Sequence, residues 1–192
     1  MRHSVFTIEV CARVDASPRL QDELLPIVQN APEQLSRDEA WERHANAAES
    51  ILRYFDSVER GCWEYFDDET LAKAMFDEWC RPVLEQDVPR QGPSGGASYR
   101  DEAGPRYMTF TLVYLLAYGS PSDLEVRATC DIPERALWKR DSFRRLLGAV
   151  RMLSFASVEG DSMYLIPRDR SWALTELDLE GPSFQYLRKL EP

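Results

Sequence analysis

The stretch Arg106-Tyr-Met-Thr-Phe-Thr-Leu-Val-Tyr-Leu-Leu-Ala-Tyr-Gly119 decides the fold expected of this chain. In its second half, apolar side chains occupy both alternating sets of positions. Successive side chains of a strand point to opposite faces, so this pattern is typical of a central strand covered on both sides. The run is shorter than the roughly 20 apolar residues that a membrane-spanning helix needs. We therefore expect a strand over 106–118 in the middle of a sheet.

Two other segments have the composition of strands. Residues 5–14 alternate between apolar side chains and a set that includes Glu9 and Arg13, which predicts a half-exposed strand near a sheet edge. Residues 155–166 are again apolar and aromatic, but Gly160 and Asp161 interrupt them. This interruption leaves two alternatives open, one bulged strand or a tight hairpin.

Helix-start signals separate these strands. Ser17-Pro18 places a capping residue before a proline at the first helical position, and Ser36 with Glu39 has the spacing of a capping box. Asp67 or Asp68 can cap a further helix. We expect helices between 18 and 80, with breaks at Pro26, Gly61 and Pro82, and another over 141–153.

Together these elements predict a single α+β domain over 1–192, with a small mixed sheet of about three to four strands. The N-terminal strand joins a C-terminal β-α-β unit, whose two strands should pair in parallel through a right-handed crossover. Residues 87–105 are rich in proline and glycine, which predicts a flexible loop. No internal repeat is evident from the sequence.

Composition limits the classes of function. The formal net charge is -10, which argues against binding to nucleic acid or to anionic membrane surfaces, since both rely on Lys and Arg. Glu9 and Arg13 interrupt the N-terminal apolar segment, so it does not match a signal peptide. Four scattered cysteines predict reduced, buried thiols in a cytoplasmic protein.

Catalytic signatures are weak. The histidines His3 and His44 have no cysteine at the short spacing that zinc sites use, and no nucleophile elbow or phosphate-binding loop occurs. Acidic clusters such as Asp67-Asp68-Glu69 fit helix capping better than acid–base catalysis. We therefore expect no catalytic residue, no metal and no cofactor.

Several segments together form a recognisable pattern: V-F-T-I-E-V-C-A-R and R-L-Q-D-E-L near the N-terminus, Ile51 to Tyr65, T-F-T-L-V-Y-L-L-A-Y-G, S-F-R-R-L-L-G-A-V-R-M-L, A-S-V-E-G-D-S-M-Y-L-I-P and L-T-E-L-D-L-E-G-P-S-F-Q-Y-L. In this order they resemble a family of domains of unknown function, number fifteen-seventeen. Members of that family often carry an N-terminal membrane or targeting segment and a Gly/Ser-rich stretch, which this chain lacks. The segment 87–105 has no clear counterpart in the family. The resemblance implies an α+β fold and no known activity.

One feature that remains is an asymmetry of charge. Between Ser36 and Asp87 fourteen acidic residues face six basic ones, whereas basic residues dominate 135–151. This polarity predicts an interface formed by Arg140, Arg144, Arg145 and Arg151, to another copy or to a protein partner. We expect a non-enzymatic protein–protein interaction or accessory module. The alternatives are an immunity-type protein that neutralises a basic toxin and a hydrolase that uses paired carboxylates.

Overall fold

The computed structural model describes residues 2–30, 35–84 and 104–192, and these form a five-stranded antiparallel sheet packed with helices. The strands lie in the order β4-β3-β1-β2-β5. In chain order the elements are β1 His3–Arg13, α1 Pro18–Gln29, α2 Arg37–Arg53, β2 Val58–Phe66, α3 Glu69–Leu84, β3 Tyr107–Ala117, α4 Pro121–Cys130, α5 Arg140–Val150, β4 Val158–Ile166, α6 Glu176–Glu180 and β5 Arg188–Lys189.

The strand predicted over 106–118 is confirmed as β3. It is buried along nearly its whole length, and β1 and β4 pair with its two edges. The α+β class is confirmed as well, although the described residues hold five strands where about three to four were predicted.

The prediction of a mixed sheet with a parallel crossover is wrong. β3 and β4 are neighbours, but they pair antiparallel. The reason is the number of helices between them: α4 and α5 follow one another, so the chain reverses once more than in a β-α-β unit. The sequence analysis did not identify α4, whose N-cap Ser120 accepts a hydrogen bond from the backbone N–H of Asp123.

The position of β1 was also predicted wrongly. It lies between β3 and β2 and is buried over almost every residue, so its polar set does not face water. Its second neighbour, β2, lies in the region 18–80 where helices were predicted, with Gly61 as a break. Gly61 instead lies within β2, where an added Cβ would stand 2.4 Å from the Phe143 ring and 2.9 Å from the Glu9 carbonyl oxygen.

The helix starts follow the capping signals closely. Ser36 and Glu39 form the predicted capping box of α2, and the Asp68 carboxylate accepts hydrogen bonds from the backbone N–H groups of Thr70 and Leu71. Pro26 was expected to kink or end its helix, and it does not end it, since it lies inside α1; α3 likewise continues past Pro82 to Leu84.

Two further predictions concern the segments 155–166 and 87–105. Residues 158–166 form one bulged strand rather than a hairpin. The predicted loop at 87–105 lies outside the described residues, apart from Gly104 and Pro105. No described helix combines the length and the hydropathy required to cross a bilayer.

The structure contains an internal repeat, contrary to the sequence analysis. The first repeat, β1-α1-α2-β2, and the second repeat, β3-α4-α5-β4, have the same order of elements, and each pairs its two strands with the same register and the same bulge. The corresponding pairs are Val5–Phe66 and Thr109–Ile166 before the bulge, then Ala12–Val58 and Leu116–Val158 after it. The two halves are therefore equivalent residue by residue along their strands.

An approximate twofold axis relates the two repeats. It passes between the antiparallel strands β1 and β3 at the Ile8–Leu112 pair, so that β2 and β4 occupy equivalent outer positions. Matching sequence fragments support the equivalence: Phe-Thr-Ile at 6–8 and Phe-Thr-Leu at 110–112, and Phe-Asp-Ser-Val-Glu at 55–59 and Phe-Ala-Ser-Val-Glu at 155–159.

The two faces of the sheet are covered differently. Helices α1, α2, α4 and α5 pack on the first face and form the main hydrophobic core with side chains such as Phe6, Phe110 and Leu146. On the second face, α3 covers Val5 and Val113, while the C-terminal segment that includes α6 covers another part. The repeats thus share one core on the first face, and the second face is asymmetric.

Candidate functional site

The four arginines of the predicted interface make contacts within the chain. Arg140 and Arg144 meet at Phe55, whereas Arg145 donates a hydrogen bond to the carbonyl oxygen of Thr129. Arg151 lies 3.8 Å from the carboxylate of Glu49. Thus two of the four lie together, and the interface assigned to them remains a prediction.

Phe55, Arg140 and Arg144 form what we call the Phe55 corner. The Arg140 guanidinium lies 5.0 Å from the centre of the Phe55 ring and donates hydrogen bonds of 2.6 Å to the carbonyl oxygens of Val58 and Phe55. Arg144 lies 4.6 Å from the same ring and donates to Asp56 at 3.2 Å. Two cations therefore cover this aromatic ring, a geometry in which the ring face attracts the charge.

The residues of α2 and α5 can be aligned by comparing the strand residue that each helix contacts. His44 of α2 contacts Asp161 of β4, and Phe143 of α5 packs over Gly61 of β2. Asp161 and Gly61 are equivalent, because they pair with the equivalent residues Tyr114 and Val10. The equivalent helix positions are therefore His44 and Phe143, Trp41 and Arg140, and Ala45 and Arg144.

The Phe155 corner, defined by Trp41, Met152 and Phe155, is the equivalent place in the other repeat. It is open in the sense that no guanidinium of a described residue stacks on its ring, whereas the Phe155 side chain itself is 6% exposed. Trp41 replaces the first stacking arginine and Ala45 replaces the second. A cavity of about 300 Å³ remains, lined by Arg37, Asp38, Trp41, Leu153, Ser154, Phe155 and Ala156. Trp41, which lines the cavity, is 39% exposed, and Met152, which precedes the lining residue Leu153 in the chain, is 71% exposed. Exposed aromatic and methionine side chains are typical of contact sites.

A buried polar triad of His44, Tyr114 and Asp161 lies beneath this corner. His44 Nδ1 is hydrogen-bonded to the Tyr114 hydroxyl and His44 Nε2 to the carboxylate of Asp161, both at 2.7 Å, and the imidazole lies 5.2 Å from the Phe155 ring. Burial raises the pKa of Tyr114 well above its ordinary value. Both ring nitrogens have partners, so His44 presents no free nitrogen to a substrate. The equivalent set in the other repeat is Phe143 with Val10 and Gly61. None of these three residues has a polar side chain.

A second polar cluster lies on the other face of the sheet, around Glu9. Its carboxylate is 6% exposed and accepts a hydrogen bond of 2.8 Å from the Tyr186 hydroxyl. Burial raises the pKa of Glu9, and the hydroxyls of Tyr186, Thr109 and Thr111 oppose that rise. The two threonine hydroxyls are buried and reach no full hydrogen-bond geometry among the described residues. Glu9 is therefore a carboxyl that favours its protonated form.

We expect Glu9 to make the protein less stable as the pH rises. The folded chain holds the Glu9 proton more tightly than the unfolded chain, so stability falls from about pH 4.5, the ordinary value, up to the raised pKa. Stability should therefore decline progressively across this pH range, and Glu9→Gln should remove the part of the decline that Glu9 contributes. Urea unfolding followed by circular dichroism between pH 4.5 and 8 measures both.

The same change at the exposed Glu125 is the matched control. Burial also raises the pKa of Glu64 on the neighbouring strand, so a smaller slope of the same sign should remain in the Glu9→Gln variant. A slope that Glu9→Gln leaves unaltered contradicts the assignment.

The cysteines have the character of buried structural thiols. All four are free, and burial raises the pKa of each, to about 12 for Cys62 and Cys130 and about 11 for Cys80. Because the thiolate is the nucleophilic form, these thiols are poor nucleophiles near neutral pH. Across residues 2–30, 35–84 and 104–192, no group of three or more His, Cys, Asp or Glu side chains is arranged to hold a metal ion.

The Phe155 corner escaped the sequence analysis. Trp41 and Phe55 fall within the region 18–80 that was predicted to be helical, and Phe155 falls at the start of a predicted strand. The available signal was the matching Phe-Asp-Ser-Val-Glu and Phe-Ala-Ser-Val-Glu fragments, which place Phe55 and Phe155 in equivalent turns. Once the turns are aligned, they show that, among the described residues, arginines stack on the Phe55 ring and not on the Phe155 ring.

The comparisons with known proteins identify no relative. No family model, no curated protein and no solved structure matches the chain. The resemblance to the domain-of-unknown-function family therefore stays a prediction, and the function must be inferred from the geometry of the molecule.

Proposed function

We propose that the protein is a non-enzymatic interaction module of the cytoplasm that binds a protein partner through the Phe155 corner. The observation that carries the proposal is the open cavity of about 300 Å³ at the corner whose counterpart is closed by Arg140 and Arg144. The fold thus has a stable way to close such a corner, and one of its two corners is left accessible. The four free thiols support a reducing compartment.

The remaining polar groups support binding better than catalysis. His44 has both nitrogens engaged, and the thiols favour their protonated form. The hydrolase alternative has one favourable observation, the raised pKa of Glu9 and Glu64 on neighbouring strands. Acid–base catalysis needs a pair whose environments move the two pKa values apart, whereas burial moves both of these upward.

Replacing the exposed side chains of the corner tests the proposal. Trp41→Ser and Met152→Ser should each weaken partner binding at least about tenfold, because aromatic anchors dominate contact energies. Each variant and the wild-type chain would be tagged in the native host, and co-purified proteins would be quantified by mass spectrometry. Circular dichroism would verify that the variants fold.

Leu177→Ser is the matched control, since Leu177 is 78% exposed and lies on α6. The expected result is a set of partners lost in both corner variants and retained in the control. If the corner variants capture the same proteins in the same amounts as the wild type, the Phe155 corner is not the contact surface.

A further inference from the structure

The Phe55 corner and the Phe155 corner differ in the groups that cover the aromatic ring. The groups that cover Phe55 indicate the kind of side chain that binds at Phe155. At the Phe55 corner, two guanidinium groups stack on the ring, and one of them also donates to the carbonyl oxygens of Phe55 and Val58. The turn that supplies Phe155 and Val158 has the same backbone form, but Ala156 stands where the Phe55 corner has Asp56, the carboxylate that accepts from Arg144. The Phe155 corner therefore has the same aromatic ring and the same kind of turn, without the two stacked arginines and without the paired carboxylate.

We propose that the Phe155 corner takes the side chain of an arginine from a basic protein partner. This inference rests on the proposed function and names the chemistry of the partner. The inserted guanidinium would enter the cavity that Trp41 and Phe155 line, taking the role that Arg144 has at the Phe55 corner, where the equivalent residue of α2 is Ala45. An arginine is favoured over a lysine because its planar guanidinium stacks on aromatic faces and is more weakly hydrated.

Charge complementarity supports a basic partner. The formal net charge of the chain is -10, and residues 36–87, which include α2, hold fourteen acidic residues against six basic ones. Asp38 lines the cavity, and Glu42 follows it by one helical turn. Arg37 also lines the cavity and contributes the opposite sign at the rim. Selectivity for arginine should therefore come chiefly from stacking, and the acidic surface should accelerate association.

Short peptides test the chemistry directly. Three acetylated, amidated peptides would share one sequence of apolar residues around a central arginine, citrulline or lysine, since citrulline keeps the shape of arginine without its charge. Binding would be followed through the indole N–H signal of Trp41 in nitrogen-15 NMR spectra, assigned by its loss in Trp41→Phe. The arginine peptide should bind at least about fivefold more tightly than the other two.

A grafted arginine supplies the second test. Ala45→Arg places an arginine on α2 where α5 carries Arg144, so it should stack on Phe155 and abolish binding of the arginine peptide. Asn46→Arg adds the same charge at the next, exposed position and should leave binding within twofold of the wild type. The Ala45→Arg variant should also lose the native partner in the capture experiment.

The outcomes separate this inference from the proposed function. Equal binding of the arginine and citrulline peptides, or tight binding by Ala45→Arg, overturns the arginine inference, even where Trp41→Ser still loses the native partner. Partner capture that Trp41→Ser leaves unchanged overturns the proposed function instead. Self-association measured by sedimentation and abolished by Ala45→Arg assigns the corner to a second copy, which overturns the basic-partner inference.

Discussion

Replacing Asp123 with alanine is expected to reduce the free energy of unfolding by about 4 kcal/mol. The Asp123 side chain is fully buried and joins three parts of the sheet region. Its Oδ1 accepts hydrogen bonds from the hydroxyls of Ser4 on β1 at 2.5 Å and Tyr65 on β2 at 2.6 Å. Its Oδ2 accepts from the backbone N–H of Gly119 at 2.7 Å. Alanine leaves the buried Ser4 hydroxyl, the half-buried Tyr65 hydroxyl and the Gly119 N–H without that acceptor.

Asparagine at position 123 should cost clearly less than alanine. The amide oxygen can face the Gly119 N–H, while the amide NH2 donates to the hydroxyls of Ser4 and Tyr65, which can each rotate to accept. Burial and the Asp123 carboxylate raise the pKa of Tyr65 to about 12, so its hydroxyl stays neutral in either case.

Urea unfolding measured by far-ultraviolet circular dichroism gives the comparison, with Asp77→Ala on the exposed face of α3 as control. The control should remain within about 0.5 kcal/mol of the wild type. A loss below 1 kcal/mol for Asp123→Ala contradicts the role given to these hydrogen bonds.

The predictable parts of the fold were those encoded within a few neighbouring residues. Burial on both faces of β3 follows from apolar residues at both alternating sets of positions. The start of α2 follows from Ser36 and Glu39, whose mutual hydrogen bonds are local. In each case the interaction that determines the structure spans a short sequence separation.

The parts that could not be predicted depend on partners distant in sequence. β1 has the alternating pattern of a strand exposed on one face, and only the packing of α3 and the C-terminal segment buries its Glu9 and Cys11. The sequence of β2 contains Gly61, and a glycine at this position predicts a break. In the structure the Phe143 ring lies against Gly61, and the strand continues through it. Tertiary packing therefore reversed the local interpretation at both strands.

The candidate site was hidden for the same reason. Arginines on one face of α5 were interpreted from charge alone, and the aromatic ring that Arg140 and Arg144 cover is supplied by the first repeat. The Phe155 corner is recognised as open only when it is compared with the Phe55 corner, whose ring the two arginines cover. That comparison required the strand registers, which the similar fragments at 55–59 and 155–159 merely suggest.

Replacing His44 with alanine should reduce the free energy of unfolding by about 3 to 4 kcal/mol. The change leaves a cavity and removes the partner of the buried Tyr114 hydroxyl and of Asp161. The second repeat shows that an apolar set also fits this place in the fold, with the Phe143 ring against Gly61. A matched apolar set should therefore recover much of the stability that His44→Ala loses.

The double variant His44→Phe with Asp161→Gly reproduces the Phe143–Gly61 pair on the other side of the twofold axis. His44→Phe alone should be strongly destabilising, since the larger ring meets the Asp161 side chain, and adding Asp161→Gly should return at least about 1 kcal/mol. A further Tyr114→Phe change removes the remaining unpaired hydroxyl and should return more. Urea unfolding of the single, double and triple variants measures these couplings, and strictly additive losses would contradict the equivalence of the two repeats. If the double and triple variants recover stability, folding does not require the polar triad of His44, Tyr114 and Asp161. Because His44 contacts the Phe155 ring, the effect of the triad should then be measured on partner binding at that ring.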